Sequence, residues 1–125
     1  MQPESFSRRR AAVRRIEEYL AAYDRALPSI ADLCAIANVS ERTLDYAFRE
    51  QLDTPPARYL RLRRLNKVRD EMRSGDPESV RVTDVAMRWG FWELGRFAAE
   101  YRALFRELPS ATLAARRTDL RAVQR

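Results

Sequence analysis

Twenty residues, Ser29 to Phe48, carry a pattern that returns in the second half of the chain. Ser29 stands three residues before Asp32, a variant of the capping box that opens a helix. Ile30, Leu33 and Ala37 fall at i, i+3 and i+7 and give that helix one apolar face. Asn38 tolerates left-handed backbone and suits its end. Ser40 caps a second helix, in which Leu44, Ala47 and Phe48 repeat the spacing. Two short helices joined this closely form a helix-turn-helix, whose second helix is shaped to lie in a DNA major groove.

The recurrence is regular. Val82, Asp84, Val85 and Ala86 stand 52 residues after Ile30, Asp32, Leu33 and Cys34, and Gly90-Phe91 takes the place of Asn38-Val39. One residue is then inserted, so that Phe97, Tyr101 and Phe105 lie 53 after Leu44, Phe48 and Leu52, as Pro109 does after Pro56. The pattern predicts an all-α chain of about seven helices, with two helix-turn-helix subdomains in tandem joined by a long central helix. Residues 1–7 read as a tail, a linker stub or a cloning remnant. Residues 8–56 form the first subdomain, 57–75 the linking helix, 76–117 the second subdomain and 118–125 a basic tail. Val13, Ile16, Leu20 and Tyr23 stripe a first helix that ends before Pro28. Tyr59, Leu60, Leu65, Val68 and Met72 cover a wider arc, as a strut packed against two bodies requires. At 1.5 Å per residue a strut of about 18 residues is about 27 Å long, near the spacing of about 34 Å between successive major grooves.

Composition narrows the function. Net charge is +6, and Lys67 is the sole lysine among 24 positive residues. An arginine bias favours nucleic acid, because the guanidinium forks onto phosphates and guanine edges, although a GC-rich genome also produces it. Without histidine, and with one cysteine and three glycines, the chain has no histidine base, metal cluster or Gly-rich phosphate loop. It reads as neither an enzyme nor a cofactor binder. Cys34, aligned with Ala86, reads as a small core residue rather than a nucleophile. A lone cysteine fits a reducing cytosol, and no apolar run approaches a membrane span. A cytoplasmic, nucleoid-associated protein is the expectation.

Leu33, Ala37, Ser40, Leu44, Phe48, Pro56, Tyr59, Leu60, Arg64 and Leu65, with Asp84, Ala86, Gly90, Phe91, Phe97, Tyr101, Phe105 and Pro109, resemble the DNA-binding region of the AraC/XylS family of bacterial transcription regulators. Trp89-Gly90-Phe91-Trp92-Glu93-Leu94-Gly95-Arg96-Phe97 is similar to the branch containing the ethanolamine-utilisation activators. The resemblance runs from about Ile16 to Arg117 and implies a sequence-specific regulator, expected to activate, that bends promoter DNA and touches RNA polymerase. There are departures: Asp53 and Arg106 replace the usual glycine after each recognition helix, Pro55 and Leu108 replace a Ser or Thr, and Ala99 replaces a common Arg or Lys. Family members usually carry an effector-binding domain. This chain therefore reads as a stand-alone regulator or an excised C-terminal domain, monomeric unless a missing domain dimerises it.

Helical geometry sorts the readers. With Leu44, Ala47 and Phe48 inward, Arg42, Asp45, Tyr46 and Arg49 share the outer face of the first recognition helix. Arg42, near the helix N-terminus, is the leading candidate for a bidentate contact to guanine. Thr43 can meet a base or the sugar-phosphate edge. Asp45 can accept from a cytosine amino group or pair with Arg49. Tyr46 can pack on a thymine methyl and offer its hydroxyl to a phosphate. In the second recognition helix Phe97, Tyr101 and Leu104 face inward, leaving Gly95, Arg96, Ala99 and Arg102 outside. Gly95 and Ala99 would let that helix sit deep, with Arg96 as main reader and groove shape as a second cue. Trp92 falls at the capping position and reads as core edge rather than DNA wedge.

Backbone N–H groups at Ser29-Ile30 and Arg81-Val82, with side-chain donors from Arg81, Thr83 and Arg102, are the phosphate candidates. Arg8-Arg9-Arg10 reads as a solvated face sooner than a phosphate contact. Residues 29–52 hold two arginines against four acids, whereas 81–125 hold nine against five. The second unit is thus expected to anchor and the first to select, on a bipartite promoter duplex read in two adjacent major grooves. The rival reading is an all-helical protein-interaction adaptor with a basic face.

Overall fold

The computed structural model describes residues 3–123 and, among them, helices without strands. The order is α1 (Pro3–Ala22), α2 (Ile30–Ala37), α3 (Glu41–Leu52), α4 (Pro56–Ser74), α5 (Val82–Arg88), α6 (Leu94–Phe105) and α7 (Pro109–Val123). The chain divides into two compact units within α4, after Arg61.

In the first unit α1 packs on both α2 and α3. Val13, Ile16 and Leu20 of α1 meet Leu33 and Ala37 of α2, Leu44, Ala47 and Phe48 of α3, and Leu60 of α4 in one buried cluster. Tyr59 sets its ring edge-on to Phe48 at 5.2 Å. Cys34 is partly buried against this core, and burial, followed by the nearby Glu41, pushes its thiol above the usual range. The second unit has its own core of Leu65, Val68 and Met72 from α4, Val85, Ala86 and Trp89, then Phe91, Phe97 and Tyr101. α7 packs against α5 and α6, and buried Tyr101 shares a 2.7 Å hydrogen bond with the hydroxyl of Thr112. Arg117 donates twice to the Pro77 carbonyl, which ties α7 to the loop before α5.

Helix ends follow local chemistry. The capping box forms as expected: Ser29 Oγ accepts from the Asp32 N–H at 3.1 Å, and Asp32 accepts from the Ser29 N–H at 2.9 Å. Ser40 Oγ accepts from the Thr43 N–H. Left-handed backbone occurs at Asn38 and Asp53 in the first unit, and at Gly90 and Arg106 in the second. These four positions pair by the same 52- and 53-residue offsets that relate the sequence halves.

Several boundaries differ from the sequence reading. Residues 3–7, expected as a tail, belong to α1, because proline suits a first helical turn and Arg9 is docked on α3. Residues 118–123, expected as a basic tail, continue α7; residues 1–2 and 124–125 lie outside the described residues. The linking helix expected over residues 57–75 is α4, and like the strut read from the sequence it gives Leu60 to one core and Leu65, Val68 and Met72 to the other. Tyr23 lies past the end of α1 and is 60% exposed. Leu104 is exposed as well, because the i+4 row Phe97, Tyr101, Phe105 takes the inward face.

Two predictions follow from this packing. Asp53 (φ 53°) and Arg106 (φ 64°) occupy a region that strains a residue with a Cβ, so Asp53→Gly and Arg106→Gly should each stabilise by about 1 kcal/mol in urea unfolding. Burial raises the Tyr101 phenol above its ordinary 10.0, more than the Thr112 hydrogen bond lowers it. The unfolded chain then loses that proton first, so stability present below about pH 10 is lost as pH climbs above it. Tyr101→Phe should be weaker at neutral pH by about 1 kcal/mol yet show a shallower alkaline decline.

Candidate nucleic-acid interface

Each helix-turn-helix presents one helix with a buried face and an open one. On α3, Leu44, Ala47 and Phe48 are sealed in the core, while Arg42, Tyr46 and Arg49 are exposed. Arg42 lies in the first turn, where helix geometry favours reaching base edges. Thr43 is partly buried, and its hydroxyl accepts from Ser40 Oγ at 3.1 Å, which binds it to the cap. Of the two roles open to Asp45, the structure shows the ion pair: Arg49 Nε donates to Asp45 Oδ2 at 2.9 Å. Both partners remain solvent-accessible, so the pair orients Arg49 and contributes little to stability.

A cleft of about 470 Å³ opens beside this face, lined by Ser5, Arg8 and Arg9 of α1 with Arg42, Thr43, Asp45 and Tyr46 of α3. The sequence reading did not bring α1 to the site. Its signal was present: Arg9 precedes Ala12, Val13 and Ile16 on the same helical stripe, so it shares the inward face. Arg9 is 9% exposed and bonded to Glu50 rather than solvated.

On α6, Gly95, Arg96, Ala99 and Arg102 are all exposed. A methyl added at Gly95 would meet open space, so this stretch of helix surface is smooth. Arg96 Nε donates to Glu100 at 3.0 Å, one turn away. Trp92 is not the cap. Glu93 holds that position, because the residue inserted between the repeats falls before it. Nor is Trp92 a core edge: it is 72% exposed, whereas Trp89 is buried and donates through Nε1 to Glu71 at 2.8 Å. Arg88 donates to the other oxygen of Glu71, so one carboxylate of α4 holds the end of α5.

Of the phosphate candidates, Arg81 caps α5 without a side-chain hydrogen bond to the helix, and its side chain is exposed, as are Thr83 and Arg102. Val82 and Ile30 are partly buried and can contribute through backbone alone. At Ser29 the N–H donates to Asp32, and the hydroxyl accepts from the Asp32 N–H. These bonds hold the Asp32 carboxyl below its ordinary 3.8. Among the described residues there is no group of three His, Cys, Asp or Glu side chains fit to hold a metal, and no helix long and apolar enough to cross a membrane.

A family description for a helix-turn-helix domain matches residues 33–115. A probable thc operon regulatory protein of Rhodococcus erythropolis is 39% identical over 101 residues, covering 81% of this chain and 30% of that protein. The XylDLEGF operon transcriptional activator of Pseudomonas putida is 33% identical over 110 residues, covering 88% of this chain and 34% of its own length. The crystal structure of a probable AraC family transcriptional regulator from Rhodopseudomonas palustris superposes with a TM-score of 0.73 at 33% identity, covering 84% of this chain and 96% of that one. The chain belongs to the AraC/XylS family of helix-turn-helix, DNA-binding transcription regulators. It spans about a third of the length of the curated relatives it matches.

The two tryptophans should behave oppositely. Trp89→Ala should cost about 3–5 kcal/mol of stability, whereas Trp92→Ala should change it by less than about 0.5 kcal/mol, both read from urea unfolding.

Proposed function

We propose that this chain is the DNA-reading part of a transcription activator that recognises a two-part promoter site, with α3 and α6 entering neighbouring major grooves. The observation that carries this reading is the duplicated recognition helix, each copy sealed on one face by its own core and open on the other. Arg42 and Tyr46 read bases from α3, with Thr43 and Asp45 at the edge and Arg49 oriented by its ion pair. Arg96 reads from α6, where Gly95 and Ala99 allow close approach. Arg81, Thr83 and Arg102, with the N–H groups of Ile30 and Val82, hold the phosphates. The names of the relatives support activation, which would proceed through contact with RNA polymerase.

Selection of bound duplexes from random DNA tests the reading, and should return two half-sites about 10 base pairs apart. Arg42→Ala should relax the preference at one position of one half-site, at a cost of about 1–3 kcal/mol on the selected duplex. Arg81→Ala should weaken binding to all sequences and reduce the salt slope by about 1. Equal loss on selected and random DNA for Arg42→Ala would contradict this division of labour. An adaptor protein would return no enriched sequence.

A further inference from the structure

Tyr46 projects from α3 with 53% of its surface exposed, yet its ring is not loose. The guanidinium carbon of Arg9 lies 4.8 Å from the ring centroid, so one face of the phenol is covered by a cation. Arg9 is anchored in turn: Nε donates to Glu50 Oε1 at 3.2 Å and the terminal Nη2 to Oε2 at 2.9 Å. Glu50 stands four residues after Tyr46 on the same helix, so the three groups close a loop between α1 and α3. The Arg9 side chain is 11% exposed and its charge is matched by Glu50. Such an arginine is held against the protein by its carboxylate partner.

Stability alone gives this arrangement no clear purpose. A part-buried ion pair can often be exchanged for apolar side chains of similar volume without loss. A planar guanidinium locked by two parallel bonds does something an aliphatic chain does not: it stacks flat on an aromatic ring and restricts its rotation. A ring ordered before binding loses less entropy on contact, and a site held by supporting hydrogen bonds discriminates more sharply.

We propose that Arg9, anchored by Glu50, is a positioning residue for DNA recognition, fixing the Tyr46 ring as a rigid platform for the methyl group of a thymine in the half-site read by α3. The inference rests on the DNA-reading role proposed above. It adds a residue of α1 that touches no DNA and yet sets a base preference.

The test is a thymine-to-uracil scan of the selected duplex, since uracil lacks only the methyl group. Wild-type protein should lose affinity on the order of tenfold at one thymine and be nearly indifferent at the others. Tyr46→Ala should erase that penalty. Arg9→Met should also erase it, while leaving the salt slope and the affinity for random DNA unchanged. The double variant should bind no more weakly than the weaker single variant, because both remove one interaction. Glu50→Gln leaves the cation over the ring but loosens its anchor, and should shrink the uracil penalty at least twofold; it decides the matter if Arg9→Met does not fold. A full uracil penalty retained in Arg9→Met, or in Glu50→Gln where that is the variant that folds, would overturn the inference. So would a shallower salt slope in Arg9→Met, the mark of a direct phosphate contact. If wild-type protein selects no sequence at all, the proposed function fails. If it selects one but no thymine depends on Arg9, only this inference falls.

Discussion

A helix can enter a groove only if something rigid holds its other side. Here that support is an aromatic side chain driven fully into a small core: Phe48 beneath α3 and Tyr101 beneath α6, both with no exposed surface. Each anchors its helix through neighbouring rings, Tyr59 against Phe48, and Phe97 and Phe105 on either side of Tyr101. Rings of this size bury more apolar area than any aliphatic residue and dominate the energetics of a small core. With that face sealed, the residues between the anchors must point outward, and the reading surface is what remains.

Polar bonds then set the helices at fixed angles. In the first unit Arg9 and Glu50 join α1 to α3. In the second, Glu71 receives Trp89 and Arg88, Tyr101 meets Thr112, and Arg117 reaches the Pro77 carbonyl. Directional bonds of this kind contribute about 1 kcal/mol each to net stability, so apolar burial carries the fold. Their value is orientation. Two helices that slide on an oily seam cannot slide once a bidentate arginine or a buried hydroxyl pair has set their register.

The two units solve the same problem with different surfaces. α3 carries a dense set of side chains, with Tyr46 stacked under Arg9 and Arg49 held by Asp45. α6 is nearly bare at Gly95 and Ala99, and its Arg96 is tied to Glu100. Dense hydrogen-bonding surfaces read base edges, whereas bare ones allow the backbone close to the groove and respond to its width. The exposed Trp92, just ahead of the α6 cap, adds a large aromatic surface to the second unit.

Much of this was legible in the residues alone. The 52- and 53-residue offsets showed the duplication, and Ser29, Asp32, Asn38 and Ser40 marked helix ends that local hydrogen bonds do form. Spacing at i, i+3, i+4 and i+7 sorted inner from outer faces, because a helix imposes that period whatever surrounds it. It sorted them less well where the choice lay between adjacent residues, as at Leu104 and Phe105, or one residue off a repeat, as at Trp92 and Glu93.

What the chain order could not reveal was every contact between residues distant in sequence. Arg9 looked like one of three solvated arginines until α1 lay against α3 and Glu50 took it. Local pattern determined which elements form and which faces they bury. The meeting of α1 with α3, and of α7 with α5 and α6, decided which arginines are spent holding the protein together, because a charge finds its partner only when packing has brought the two helices side by side.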